Sequence, residues 1–153
     1  MIDPFSVQHL DAKKLLAEWR WLCPSEVRVV ARNAFGDLFL CNSTGQIFRL
    51  DVAAGKLTQI ADSEAHFREI AETGERREQW FAESDERTAS VRGLNPTVDQ
   101  CIGFAVPLAF AESSSKNKPF VVDIYQQVAF LGDLHKQLSS VPEGTKVRLK
   151  IVP

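Results

Sequence analysis

Between residues 27 and 61 the apolar and polar positions follow the two-residue period of β-strands. In "VRVVAR", Val27, Val29 and Ala31 alternate with Arg28 and Arg32, the pattern of a half-exposed strand. The next run, "DLFLC", is apolar on both faces, as a central strand covered from both sides would be. "QIFRLD" and "KLTQI" complete four short strands. Their connectors, "NAFG", "NSTG" and "AAGK", each place a Gly where a turn needs positive φ, and connections this short join antiparallel neighbours only. A phosphate-cradling loop would instead leave a strand and open a helix, and neither GxxxxGK[ST] nor GxGxxG occurs. The glycines are read as turns.

Helical spacing takes over on both sides of this sheet. Upstream, Asp3 before Pro4 and Ser6 are two helix starts, and Ala12, Leu15, Leu16, Trp19 and Leu22 keep a helical stripe until Pro24. Trp19 and Trp21 cannot share one helical face, so either the helix ends at Trp19 or Trp21 turns toward another layer. Downstream, Ser63 is an N-cap for a helix over 63–72 with Phe67, Ile70 and Ala71 on its apolar face. The register slips at Gly74, which predicts a second short helix over 76–82 anchored by Trp80 and Phe81. Residues 84–101 read as an irregular connection with at most a turn of helix. "IGFAVPLAF" resumes apolar character up to a break at Pro107, and "AESSSKNKP" is a solvated loop.

The clearest helix begins at Asp123, whose cap position is paired with Gln126, and buries Ile124, Val128, Leu131, Leu134 and Leu138. Gly132 inside it costs about 1 kcal/mol relative to Ala, which predicts close packing against a neighbour. "KVRLKIV" closes the chain as a late strand with one basic face. The expected fold is α+β over residues 1–153 as one domain: an antiparallel four-strand meander plus the late strand, packed with α-helices.

Composition supports that size of core. At 153 residues and 44% hydrophobic content, the chain suits one core that buries roughly 70% of its unfolded surface. The net charge of −2 argues against a general nucleic-acid binder, which needs a Lys/Arg excess to neutralise phosphates. No basic leader precedes an apolar core, and no run approaches the ~18 apolar residues of a membrane helix, so a cytoplasmic protein without membrane contact is expected. Cys23, Cys41 and Cys101 are too widely spaced for a zinc site or a disulfide framework and are expected to be reduced and buried.

Candidate chemistry is sparse. His9, His66 and His135 lie outside any HExxH spacing, with His135 expected to be structural beside the buried stripe. No serine stands in GxSxG, and the many carboxylates lack any sign of converging as an acid/base pair. The expectation is a protein that is not an enzyme and acts by binding, with no catalytic residue, metal or cofactor.

Several stretches, taken in order, carry a family resemblance: "WRWL", "AFGDLFL", "GQIFRLDVAAGKL", "IADSEAHF", "EQWF", "IGFAVPL" and "VVDIYQQVAFLGDLHKQL". From about Trp19 to Lys150 the chain resembles the C-terminal domain of bacterial type VI secretion immunity proteins that guard against DNase toxins, a relative of the SMI/KNR immunity superfamily. Larger members carry an additional N-terminal domain, for which the residues before Trp19 are too few. The family's "PLxLGG"-like loop is also replaced here by "PLAFAES" at 107–113, where Ala111 and Glu112 resist angles that two glycines permit. The resemblance implies an immunity protein that occludes a cognate protein toxin encoded nearby. It carries no catalytic residues, and its motif residues look architectural: Gly36 and Asp37 at a turn, Asp51 before one, Trp80 and His135 packed on the sheet. The alternative is an SMI/KNR-like adaptor or scaffold that binds a host protein.

Residues 62–86 concentrate charge. Nine acidic and three basic residues give this segment a net −6. A nuclease toxin presents a basic surface, so an acidic face would both occupy it and accelerate encounter. Glu69 and Glu72 project away from the Phe67/Ile70/Ala71 face, and Glu75, Glu83, Asp85 and Glu86 extend the patch, with Trp80 as its aromatic anchor. The competing reading is that these carboxylates only solvate two helices.

Overall fold

The computed structural model describes residues 1–72, 74–110, 117–142 and 144–146. The first ten residues form a strap of turns, not the helix start read at Asp3 or Ser6. Its contacts with the body of the fold include the Pro4 carbonyl, which accepts from Arg32 N–H at 2.9 Å, and the Phe5 ring, which lies edge-on to Phe67 and Phe81. Helix α1 is therefore short, Ala12–Leu15, capped by Asp11 accepting from Lys14 N–H, and a 3₁₀ turn over Ala17–Trp19 follows. Helical geometry ends at Trp19, which lets the Trp19 and Trp21 rings stack at 5.8 Å.

The meander follows as expected, with β1 Val27–Arg32, β2 Leu38–Asn42, β3 Ile47–Asp51 and β4 Lys56–Ala61 antiparallel in that order. One detail differs. The β1–β2 register shifts between Val29 and Ala31, a bulge that reverses the side-chain parity of β1. Val30 is thereby turned into the core, and Arg32, read as solvent-facing, is 1% exposed. Its guanidinium donates to the carbonyls of Asn33, Val98 and Gln100, so three acceptors compensate the burial and tie the 98–100 segment to the end of β1.

Strand β2 is covered on both sides, as its unbroken apolar run predicts. Leu38 and Leu40, with Leu50 and Val52, face Leu15, Leu16 and Trp19; Phe39 and Cys41, with Ile47, face the opposite layer. That layer contains α2 (Glu64–Ala71), whose Ser63 Oγ accepts from His66 N–H, and α3 (Gly74–Phe81). Phe67, Ala71, Trp80 and Phe81 supply its buried surface.

Residues 83–91 form a regular helix, α4 (Glu83–Val91), where the sequence suggested an irregular connection. Only Glu86 and Ala89 are buried on it, so no apolar stripe announces it. A second sheet, also unforeseen, pairs β5 (Gln100–Phe104) with β6 (Pro119–Asp123) antiparallel. It feeds directly into α5 (Ile124–Leu138), capped by Asp123 accepting from Gln126 N–H. Ile124, Val128, Leu131 and Leu134 are buried against the Trp19 side of the large sheet, with Leu138 half-buried beside them. The whole is an α+β single domain. The late strand expected over 146–152 lies, beyond Lys146, outside the described residues, as do 111–113 of the "PLAFAES" loop.

Candidate functional site

The residues following β1 build the floor of a concavity on the molecule. Asn33 Oδ1 accepts from the N–H groups of Phe35 and Asp37, closing the turn, while its amide donates to Asp37 and to the Trp80 carbonyl. Asp37, 6% exposed, also accepts from Val52 N–H at 3.1 Å and from Arg49 Nη2 at 2.8 Å. Burial raises the Asp37 carboxyl above its ordinary value, Asp51 adds to this, and the Arg49 bond opposes it. Asn33 and Asp37 together thus join β1, β2 and β3 to α3, and Arg49 supplies the counter-charge of Asp37. Arg49 Nε is buried with no hydrogen-bond partner among the described residues.

Above this floor opens a cavity of about 460 Å³ between α4 and the α5/β5 wall. That volume falls in the range of small-ligand and anchor-residue sites, which run roughly 300–1,000 Å³. Helix α4 lines it through Asp85, Thr88, Ala89 and Arg92, one helical face. The opposite wall is apolar: Ile102, Phe104, Phe130 and Leu131, with Leu108 nearby. Phe35 and Phe104 stack at 6.4 Å in nearly parallel planes, and Phe130 and Leu108 stay 42% and 48% exposed at the mouth. Gly103 lets the Gln127 side chain lie on β5, since a Cβ there would sit 3.0 Å from its amide nitrogen.

The joint between α3 and α4 is strained. Ala82, which lines the cavity, has φ 51° and ψ 45°, a left-handed conformation that costs an L-residue about 1–2 kcal/mol. Flanking contacts enforce it: Ala82 N–H donates to the Glu78 carbonyl, the Glu78 carboxylate accepts from Ser84 N–H, and Arg77 pairs with Glu83 at 2.6 Å.

The seven residues read as partner-facing separate into two groups. Glu69, Glu72 and Glu75 on α2 and α3 and Asp85 on α4 are exposed, and Glu83 is half-buried in its pair with Arg77. Trp80 and Glu86 do not face solvent. Trp80 is 4% exposed, 5.3 Å from the Phe67 ring and 6.1 Å from Phe39, so its surface is spent in the core. Glu86 is 4% exposed and accepts from Ile2 N–H at 2.8 Å, fastening the N-terminal strap to α4. Trp80 takes the inward position that its role in anchoring the 76–82 helix already implied, and Glu86 is turned inward by the rotation of α4, a helix the sequence did not announce.

The cavity itself was missed. A signal existed in Phe130, an aromatic residue off the buried stripe of α5, but the regular helix that forms the facing wall carries no apolar periodicity. All three cysteines are free and buried, and burial pushes the Cys23 and Cys101 thiols up to about 11 and about 12. His135 is buried with its ring against Gly55 and one nitrogen 3.1 Å from the Ala53 carbonyl. Among the described residues no His/Cys/Asp/Glu group could hold a metal, and no helix is long and apolar enough to cross a membrane. Comparison with family models, with curated proteins and with solved structures finds no match to this chain.

Proposed function

We propose that this protein is an immunity protein: a cytoplasmic, non-catalytic binder that neutralises a cognate toxin by covering its working surface. The observation that carries this reading is where the stretches bearing the family resemblance fall in space. "WRWL" meets the "LGDLH" helix, with Trp19 Nε1 donating to the Val128 carbonyl at 2.8 Å and the Trp19 ring against Gly132. "LDVAAG" meets the same helix where His135 fills the space above Gly55, and "FGDLF" meets "LDVAAG" through Asp37 accepting from Val52 N–H. Residues scattered over more than a hundred positions thus form one contiguous set of contacts. The resemblance requires these stretches to meet in one core, and in this fold they do.

The exposed carboxylates Glu69, Glu72, Glu75 and Asp85 supply what an inhibitor of a basic toxin needs. Complementary charge raises the rate of encounter, and affinity then rests on a few well-packed anchors. The test is to look for a toxin-like reading frame beside this one, whose absence would favour the adaptor reading, and to co-express the two proteins. Growth rescued by this chain, with the two proteins co-purifying, is the expected result. Continued killing despite soluble expression of both would overturn the proposal.

A further inference from the structure

We propose that the cavity between α4 and α5 is a socket for an extended basic segment of a protein partner, which seats an Arg or Lys on Asp85 and an apolar neighbour against Phe104 and Phe130. This deepens the binding function proposed above by assigning it a second, concave contact. Three features of the cavity define the occupant. First, its walls are chemically divided, with the apolar side open at the mouth through Phe130 and Leu108. An apolar wall of that kind rewards a side chain that leaves water. Second, the charges on the facing helix are unspent. Arg49 lies at the floor with its Nη2 paired to Asp37 and its Nε left unpartnered, whereas Asp85 and Arg92 are exposed and their side chains make no hydrogen bond or ion pair among the described residues.

Third, their spacing is set by the helix. Seven residues at a rise of 1.5 Å place Asp85 and Arg92 about 10 Å apart, too far to neutralise each other directly. An extended chain covers that distance in about three residues. It can place a cationic side chain on Asp85 and turn main-chain carbonyls, acceptors present at every residue, toward Arg92. A small carboxylate would satisfy Arg92 alone and leave Asp85 without a partner. Asp85 also continues the −6 segment, so the field at that end of the cavity favours a cation. Ala82 holds the first turn of α4 in the orientation that lines the cavity, and the strain it stores is of the kind found at binding sites.

The test needs no toxin. The ¹⁵N-labelled full chain is titrated with the acetylated, amidated tripeptide Arg-Leu-Ala and with its acidic counterpart Glu-Leu-Ala, following backbone amide shifts. The basic peptide is expected to give saturable shifts at Ala82, Thr88 and Gly103 with a dissociation constant on the order of 1 mM, as suits a few contacts. Asp85→Asn should weaken it about threefold, the worth of one exposed pair, and Phe130→Ala should weaken it independently. Shifts that never saturate, that fall on α2 and α3 instead, or that are as strong with the acidic peptide would each overturn the socket. The spectra themselves report whether each variant is folded. Failed growth rescue alongside successful titration would sink toxin neutralisation and leave the socket standing, and the reverse pair of results would do the opposite.

Discussion

The two faces of the four-stranded sheet are closed by different means. On the Trp19 side the covering elements come as near as backbones permit: a Cβ on Gly132 would lie 2.7 Å from the Glu18 carbonyl oxygen and 2.8 Å from Trp19 Nε1, and one on Gly55 would lie 2.5 Å from His135 Nδ1. On the other side, rings fill the space. Phe39, Phe67, Trp80 and Phe81 stand with centroids 5.3–6.1 Å apart, and Phe5 from the strap completes the group. Close backbone approach admits one residue at a few positions and leaves a mark in the sequence as Gly beside Trp or His. Ring packing distributes the same task over area and marks the sequence only as scattered aromatics.

The largest expected effect tests the aromatic face. Trp80→Ala removes a fully packed indole, for which losses run about 3–5 kcal/mol, against a total stability of only about 5–15 kcal/mol for a domain. Urea denaturation should show that loss directly. A Trp80→Ala protein of undiminished stability that no longer binds a partner would restore Trp80 as an anchor.

Next come the glycines of the opposite face. Gly132→Ala must displace a backbone oxygen and an indole, an overpacking cost of about 1–3 kcal/mol, against which Ala returns about 1 kcal/mol of helix propensity. The net loss is expected to be the smaller of the two and still measurable. Gly55→Ala adds a left-handed φ of +69° to the collision with His135. Combining it with His135→Ala should cost less than the two changes added separately, because the second clears space for the first. Strict additivity in that cycle would mean that the His135–Gly55 contact does not shape this face.

The same contrast explains what was legible. The meander could be read because strand alternation and turn glycines act locally, and the α5 stripe because its apolar positions repeat over four turns. Arg32 was misread because the bulge after Val29 is set by pairing with β2, and no local pattern records it. Helix α4 and the β5–β6 pair escaped for the same reason: one is mostly solvated, and the other is a pairing of segments about twenty residues apart. The cavity lies between those unforeseen elements, so the candidate site was the least legible part. Of the acidic residues, sequence could count the charge but not the rotation of α4, which turns Asp85 outward and Glu86 in.

A smaller effect should separate the faces by pH. Burial holds the His135 imidazole below its ordinary 6.5, although the Ala53 and Val52 carbonyls and Asp51 favour its cation. Below that value the unfolded chain takes up a proton that the folded chain refuses, so stability rises with pH across this window and is lost as pH falls. Asp37 has the opposite sign, since its raised carboxyl favours the folded state as pH falls toward 3.8. Comparing wild type with His135→Gln isolates the imidazole. The variant should begin less stable and show a shallower loss on acidification from about pH 7 to about pH 5.5. An unchanged slope would remove His135 from the pH response.

The smallest effect on stability is expected outside the aromatic face, on the solvent side of the layer that covers it. Glu69, Glu72 and Glu75 are exposed and make no ion pair among the described residues, so reversing all three to Lys should change unfolding free energy by only about 0.5 kcal/mol per site or less. Their proposed role is in encounter. If the toxin surface is basic, the triple reversal turns attraction into repulsion, and association should slow about tenfold or more at low salt. The wild-type rate should itself fall as salt approaches physiological strength, where screening acts over about 8 Å, and the variant's rate should fall less or rise. Rates measured by stopped-flow with the co-purified toxin separate this face from the socket: steering carboxylates change association and its salt dependence, whereas Phe130→Ala should change dissociation. A triple reversal that associates as fast as wild type at low salt would reduce the acidic face to a solvated surface and leave recognition to the cavity between α4 and α5.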